Sequence, residues 1–280
     1  MDAKELFDQT TFECSKLITQ RYSTSFTLGI KTLHKRFQYP VYGIYGFVRY
    51  ADEIVDTFHD KDKANLLKLF KKHTYEAIEQ KISLNPVLHC FQMVVNEYNI
   101  PLDLIEAFLH SMEMDLHDID YDQPTYETYI YGSAEVVGLM CLKVFCEGND
   151  EKYNDLLPAA KNLGAAFQKI NFLRDIKSDY HDRGRVYFPG IDFKSFSKNH
   201  KDQIESDIQA DFDAAYQGIV RLPAGARLGV YLAYSYYLNL FKKIKNYPPQ
   251  KIMNERVRIK DSQKLFLLFS SYLKHQFNAL

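Results

Sequence analysis

YGFVRYADEIVD (residues 45–56) and FQKINFLRDIKSDY (residues 167–180) are the two stretches that decide the fold. The first is apolar at nearly every position, as in a helix buried on most of its circumference. In each stretch the polar exceptions recur at spacings of three and four, so they form a single stripe on a predicted helix. The stripes consist of Tyr45, Arg49, Asp52 and Asp56 in the first stretch, and of Gln168, Asn171, Asp175 and Asp179 in the second.

Each stripe carries two aspartates four residues apart, which is one turn along a helix. The D-x-x-x-D spacing alone is weak evidence, because it occurs five times in this sequence. The surroundings separate the matches: Asp207 and Asp211 face away from Ile204, Ile208 and Phe212, as on a solvated helix face, and Asp118/Asp122 falls in a predicted loop.

The charge of a carboxylate on an otherwise apolar, buried helix must be neutralised by a proton, a cation or a basic side chain. Burying an isolated carboxylate costs on the order of tens of kcal/mol by Born estimates, and two like charges at ~4 Å repel by about 4 kcal/mol at a dielectric near 20. Four acids around one cavity therefore predict raised pKa values or bound cations. Oxygen ligands from two helices favour Mg²⁺, completed by water and substrate phosphates. The alternative is a pair of internal salt bridges, with Arg49 and Arg174 as partners.

Composition bounds the class of protein. The 280 residues are 46% hydrophobic with a net charge of -1, which excludes a disordered chain and gives no sign of nucleic-acid binding. Four cysteines without a C-x-x-C pair predict free thiols in a reducing cytosol. The N-terminus lacks an apolar signal core. We expect a cytoplasmic protein; the basic segment 242–264 is either a solvated helix face or a contact with a membrane surface or a phosphate.

Helical periodicity runs through the whole chain, and no strand-like alternation of useful length occurs. The pattern predicts one all-α domain over residues 1–280. In the segment 125–145, Tyr129, Ser133, Val136 and Met140 would share one helix face. The predicted helices cover about 4–20, 38–58, 61–81, two segments opening at Pro86 and Pro101, 125–145, 151–182, 202–220, 223–245 and a segment after Pro249.

Several motifs together resemble the squalene/phytoene synthase family, the head-to-head prenyl transferases, almost from end to end. Among its branches, the chain is most similar to bacterial phytoene synthases. The motifs are STSF (23–26), RYADEIVD (49–56), MEMDL (112–116), YIYGSAEVVG (129–138) and the set Gln168, Asn171, Arg174, Asp175 and Asp179, followed by RGRVYFP (183–189).

The resemblance implies a helical bundle around a central cavity and a set of site residues. Mg²⁺, or Mn²⁺ in its place, would bind between the two aspartate motifs. One departure is Glu135, where many relatives have glycine. The implied metal ligands, which are also catalytic, are Asp52, Asp56, Asp175 and Asp179, and Tyr129 is a further catalytic residue. The implied substrate-binding residues are Ser23, Ser25, Phe26, Arg49, Gln168, Asn171, Arg174, Arg183, Arg185, Tyr187, Tyr237 and Arg256. From the sequence alone, the hydroxyls of residues 23–25 would either cap a helix or meet a phosphate.

The implied reaction joins two geranylgeranyl diphosphates to phytoene through a cyclopropylcarbinyl diphosphate, for carotenoid biosynthesis and without NADPH. One alternative is a squalene or dehydrosqualene synthase acting on farnesyl diphosphate. The other is a non-catalytic helical assembly protein, against which the intact carboxylates argue. Phe26 and Met140 are expected at the cavity floor, where they would limit chain length. Replacing Asp52 or Asp175 by asparagine is expected to relieve repulsion without loss of stability. The oligomeric state is left open.

Overall fold

The chain folds into helices joined by short loops. The computed structural model describes residues 2–117, 119, 121–182, 186–191, 193–259 and 271, and this part contains no β-strand. The all-α prediction is confirmed. Its α-helices are α1 (Ala3–Tyr22), α2 (Thr24–Thr32), α3 (Lys35–Asp56), α4 (Lys63–Gln80), α5 (Pro86–Tyr98), α6 (Leu102–Met114), α7 (Gln123–Ile130), α8 (Val136–Cys146), α9 (Asp150–Ile176), α10 (Lys198–Ile219), α11 (Ala224–Lys245) and α12 (Pro249–Asn254). A 3₁₀ turn covers Phe193–Ser195, and π-helical turns cover Tyr131–Glu135 and Lys177–Asp182.

The helix starts follow local sequence signals. Asp2 caps α1 in a capping box with Glu5. The Ser23 hydroxyl accepts a hydrogen bond from the backbone N–H of Phe26, so it caps α2, as one of the two readings of this cluster predicted. Pro86 occupies the first turn of α5 as predicted, whereas Pro101 precedes α6 as its N-cap.

Two apolar cores hold the bundle together. Helices α3–α6 and α8 build most of the first core. In it, the rings of Phe47 and Phe91 stack with their centroids 3.8 Å apart. In the second, around α9–α11, Phe212 stacks on Phe241 at 5.8 Å. These cores fix α3 and α9, the two helices that carry the aspartate motifs.

The helical run Gln123–Cys146 is long and apolar enough to cross a membrane, by length and composition only. It packs against α6 and α9, and 56% of its most apolar window is buried inside the protein. We therefore describe it as a core helix of the bundle.

The π-helical turn Tyr131–Glu135 interrupts this run between α7 and α8. A π turn inserts one residue, which rotates everything after it by about 100° relative to a continuous α-helix. The predicted face is therefore wrong beyond the turn: Val136 and Met140 are fully buried in the first core, while Val137 and Cys141 face the cavity. Met140 is not a floor residue.

The Asp207/Asp211 pair also differs from its prediction. Asp207 is 58% exposed, as expected, but the Asp211 side chain is only 13% exposed. Because α9 packs closely on α10, Lys169 lies between the two acids, with Nζ 2.6 Å from Asp207 Oδ2 and 2.8 Å from Asp211 Oδ2. Of the predicted loop pair, Asp122 caps α7, and Asp118 lies outside the described residues.

Candidate active site

A cavity of about 400 Å³ lies between α2, α3, α8, α9, α10 and α11, within the ~300–1,000 Å³ typical of small-molecule sites. Apolar side chains line most of it. The polar lining residues are Tyr45, Arg49, Asp52, Ser133, Gln168, Asn171 and Tyr237, of which all except Ser133 belong to or contact the two aspartate motifs.

The cavity is long, and its polar groups are at one end. Along α9 its lining runs from Asn171 back to Leu156, fifteen residues or about 22 Å at the α-helical rise. Phe145 marks the same far end, because its ring contacts Phe37, which precedes Asp52 by fifteen residues on α3.

Phe26 lies at the polar end instead. Its ring centroid is 5.8 Å from that of Tyr45 and 6.3 Å from that of Tyr237. The prediction that Phe26 forms the cavity floor is therefore wrong, since α2 enters the cavity beside the motifs. Ser25 is half-buried in the first turn of the same helix.

The first motif is organised by Arg49. Its Nη1 lies 2.6 Å from Asp52 Oδ2, its Nη2 pairs with Glu53, and its guanidinium stacks over the Tyr22 ring at 4.5 Å. Arg49 and Asp52 are on the cavity lining, and Asp56 is the last residue of α3, beyond the lining. Of the two acids and one base on the predicted stripe, Arg49 and Asp52 therefore lie on the cavity lining, and Asp56 does not.

Tyr45 is a site residue that the sequence reasoning placed on the stripe without giving it a role. Its side chain hydrogen-bonds with Ser23 and lies near the charges of Arg49 and Asp52. Burial raises the pKa of its hydroxyl, while Arg49 opposes that shift. Its position at the head of the Arg49–Asp52 stripe was the signal that could have identified it.

The second motif is organised by Asp175, which two arginines neutralise. Arg174 Nη2 lies 2.5 Å from Asp175 Oδ2, and Arg256 Nε lies 2.7 Å from Asp175 Oδ1. Although burial disfavours the charged guanidinium, its hydrogen bonds to Asp175 hold the pKa of Arg174 above its ordinary value. The salt-bridge alternative, with Arg49 and Arg174 as partners, matches this geometry.

Tyr237 and Arg256, which the resemblance implies bind substrate, lie beside the same motif. The Tyr237 hydroxyl donates to Asn171 Oδ1 at 3.3 Å, and its ring stacks on Phe167 at 3.9 Å. Arg256 reaches Asp175 from the segment after α12. The structure therefore brings Tyr237 and Arg256 to the second motif, while their roles stay predictions.

Several predicted site residues lie outside the main cavity lining, and three of these, Asp179, Tyr129 and Tyr187, lie near the ring of Phe172. Asp179 falls in the π turn Lys177–Asp182, whose wider turn directs it to a small separate pocket with Tyr187 and Phe172. Tyr129 donates to Asp115 Oδ2 at 2.8 Å and packs 5.5 Å from Tyr187. Tyr129, implied to be catalytic, and Tyr187, implied to bind substrate, are therefore not on the lining of the main cavity, and their roles stay predictions. Both belong to an aromatic cluster on Phe172 instead.

Arg183 and Arg185, predicted to hold or flank the diphosphates, lie outside the described residues. Glu135, the departure from the family pattern, contacts Lys161 of α9, with Oε2 3.3 Å from Nζ.

The carboxylates suit a metal that shares its ligands with a substrate. Among the described residues, no group of three or more His, Cys, Asp or Glu side chains lies close enough to hold a metal ion. Mg²⁺ usually takes only one or two carboxylates and completes its shell with water and phosphate oxygens. Asp52 lies on the cavity lining, and Asp175 lies one helical turn after the lining residue Asn171, so each offers one such carboxylate. The residues present therefore fit Mg²⁺ bound together with a diphosphate.

The fold and site define a class of protein. A crystal structure of a dehydrosqualene synthase in complex with a ligand superposes with a TM-score of 0.80 at 23% identity, over 95% of this chain and 98% of that one. The squalene synthase HpnC from Alicyclobacillus acidocaldarius gives a TM-score of 0.75 at 18% identity, over 89% of this chain and 96% of that one. The fold is the all-α fold of isoprenoid synthases.

Sequence similarity identifies the family within that class. The model of the squalene/phytoene synthase family matches residues 19–263, and the chain belongs to this family. The 4,4'-diapophytoene synthase of Staphylococcus haemolyticus is 25% identical over 201 residues, which are 69% of this chain and 67% of the relative. The presqualene diphosphate synthase of Sinorhizobium fredii is 32% identical over 169 residues, or 59% of this chain and 58% of that relative.

Proposed function

We propose that this protein joins two geranylgeranyl diphosphates head to head to form phytoene, in carotenoid biosynthesis. The observation that carries the proposal is the long apolar cavity whose charged lining residues, Arg49 and Asp52, are at one end. Such a site suits an amphiphile with an anionic head and a long hydrocarbon tail. The membership of the squalene/phytoene synthase family supports the same class of reaction.

The depth of the cavity supports a twenty-carbon chain. A fully extended polypeptide reaches about 3.6 Å per residue, and each residue contains three backbone bonds. An extended chain therefore advances about 1.2 Å per bond. The sixteen main-chain carbons of a geranylgeranyl group, joined by fifteen bonds, then span about 18 Å, and the twelve of a farnesyl group about 13 Å. The lining of about 22 Å between Asn171 and Leu156 accommodates the longer chain.

The polar end would hold the two diphosphates. Arg49, Arg174 and Arg256 already contact the motif carboxylates and can donate charge-assisted hydrogen bonds to phosphate oxygens. Asp52, Asp56, Asp175 and Asp179 would hold Mg²⁺. When bound, Mg²⁺ supplies electrostatic stabilisation of the departing diphosphate.

The chemistry proceeds in two ionisations. The C1–O bond of one substrate breaks, its electron pair leaves with diphosphate, and the double bond of the second chain attacks the allylic cation. Loss of a proton closes the cyclopropane ring of a cyclopropylcarbinyl diphosphate. Its own C–O bond then breaks, the ring rearranges, and loss of a second proton gives the hydrocarbon. No reductant enters this balance, so NADPH is not required.

The walls protect and stabilise the cations. Water must be excluded, because a carbocation that meets water ends as an alcohol. The apolar lining from α8, α9 and α10 serves this purpose. Phe26, Tyr45, Phe167 and Tyr237 present aromatic rings at the polar end, where the cations form, and ring faces attract positive charge.

The second candidate is condensation of two farnesyl diphosphates to a C30 product. The names of two similar proteins, a 4,4'-diapophytoene synthase and a dehydrosqualene synthase, favour it. A non-catalytic assembly role has no such support, because both motifs keep their carboxylates. We also propose a cytoplasmic location with peripheral contact to the membrane, since the hydrocarbon product is insoluble in water.

Product analysis tests the proposal. The purified protein is incubated with Mg²⁺ and either geranylgeranyl or farnesyl diphosphate, with and without NADPH, and the hydrocarbons are identified by mass. Phytoene from geranylgeranyl diphosphate without NADPH is the expected result. Exclusive C30 product, or a strict need for NADPH, would overturn it in favour of squalene-type synthesis.

A further inference from the structure

We propose that the ion pair between Glu135 and Lys161 positions the cavity wall. It does so by fixing the π-helical turn Tyr131–Glu135, and so determines which side chains meet the prenyl chain. This inference rests on the proposed function only where it concerns the prenyl chain. Glu135 and Lys161 are positioning residues, because neither is on the cavity lining.

One lysine holds both ends of the turn. Lys161 Nζ lies 3.3 Å from Glu135 Oε2, at the last residue of the turn. The same ammonium lies 5.0 Å from the ring centroid of Tyr131, the first residue, within the range of a cation–π contact. The Glu135 side chain is 16% exposed, so water competes little for its charge.

The middle of the turn lies directly on α9. A Cβ atom added at Gly164 would come 2.8 Å from the Ala134 carbonyl oxygen, closer than real Cβ contacts allow. Ser133 and Ala134, between the two residues that Lys161 contacts, are part of the cavity wall. The turn is therefore held against α9 by backbone contact in its middle and by Lys161 at its ends.

The turn determines the register of α8. With the inserted residue, Val137 and Cys141 line the cavity, and Met140 is buried in the core. If the turn relaxed to a regular α-helix, α8 would rotate by about 100° relative to α7. A residue next to Cys141 would then take its place on the cavity wall, and the shape of the cavity around the prenyl chain would change.

This ion pair is not explained by stability alone. Burial raises the pKa of Glu135, and the charge of Asp211 adds to the rise, while Lys161 and Lys169 oppose it. The ionised carboxylate is therefore held at a net cost relative to water. Burying an ion pair often lowers stability, and in some proteins such a pair specifies one geometry. A geometric role for Glu135 is consistent with that cost.

The test combines Glu135→Gln, Lys161→Met and the charge reversal Glu135→Lys/Lys161→Glu. Asp150→Asn is the matched control, because it removes an ion pair that joins α8 to α9 through Lys143 without contacting the turn. Circular dichroism confirms that each variant is folded. The first readout is the rate at which an apolar thiol reagent labels Cys141, measured without substrate in a Cys14→Ser background.

We expect Glu135→Gln and Lys161→Met to slow Cys141 labelling by about three- to ten-fold, as couplings within one network suggest. The charge reversal should restore most of the rate, and Asp150→Asn should leave it unchanged. Where the enzyme is active, KM for the prenyl diphosphate should rise with kcat little changed. Wild-type labelling in both single variants, or no rescue by the reversal, would overturn the proposal. Because labelling needs no substrate, a failure of the proposed function would leave this test intact.

Discussion

Replacing Asp175 by asparagine should lower the melting temperature of the protein. Asp175 is the shared partner of Arg174 and Arg256, and its side chain is 19% exposed. Removing one member of a buried pair costs ~3–5 kcal/mol. Arg174 is 21% exposed and Arg256 is 50% exposed, so we reduce the cost to about 1–3 kcal/mol. The entropy of unfolding is ~2.1 cal/mol/K per residue, or about 590 cal/mol/K for 280 residues. This loss of stability therefore lowers the melting temperature by about 2–5 °C.

Thermal unfolding followed by circular dichroism measures this shift. Asp155→Asn is the matched control, because Asp155 also binds an arginine, Arg221, in an exposed pair of 56% and 48% side-chain exposure. That pair should contribute less than about 1 kcal/mol. An unchanged or raised melting temperature for Asp175→Asn would refute the reasoning. It would show that repulsion among the acids dominates, as expected from the sequence for this substitution.

Further changes separate activity, product length and pH dependence. Asp52→Asn should lower kcat by about two orders of magnitude or more with the helical circular dichroism intact, because the departing diphosphate loses stabilisation; near-normal Mg²⁺-dependent turnover would contradict this. Phe145→Leu should raise the C40 to C30 product ratio by lengthening the far end, whereas Met140→Ala should cost ~2–5 kcal/mol of stability and leave the ratio unchanged. Since the folded-state pKa of Glu135 is raised above 4.5, its contribution to stability is full below that pH and is lost as pH rises through the raised value. The melting temperature of Glu135→Gln minus that of the wild type should therefore become more positive from pH 4.5 towards neutral pH; a flat difference would contradict the assignment.

The fold was predictable because helical periodicity and local caps agree along the chain. The apolar surround of Asp52 and the polar stripe through Gln168 and Asn171 identified two of the helices that line the cavity, α3 and α9. The same reasoning separated these motifs from the other D-x-x-x-D matches. Side-chain spacing on one helix is a local property, so the sequence carries it directly.

Features that depend on neighbouring helices were not predictable. The π turn before Val136 leaves the apolar pattern intact while it shifts the cavity face by one position, so Met140 was misplaced. Asp211 was expected in solvent, because its own helix gives no sign that Lys169 of α9 packs against it. The pairing of Asp175 with Arg256 joins residues far apart in sequence, and only the tertiary fold brings them together.

The central claim is the head-to-head bond, and isotopic labelling tests it most directly. The protein is supplied with Mg²⁺ and geranylgeranyl diphosphate carrying ¹³C at C1, and the hydrocarbon is examined by ¹³C NMR. Head-to-head joining makes the two labelled carbons the bonded, equivalent central carbons of phytoene, so the product should give a single enriched signal in the range of olefinic CH carbons, whereas head-to-tail joining would give two different enriched signals. A product in which the labelled carbons are not bonded to each other, or labelled geranylgeraniol alone, would contradict the account.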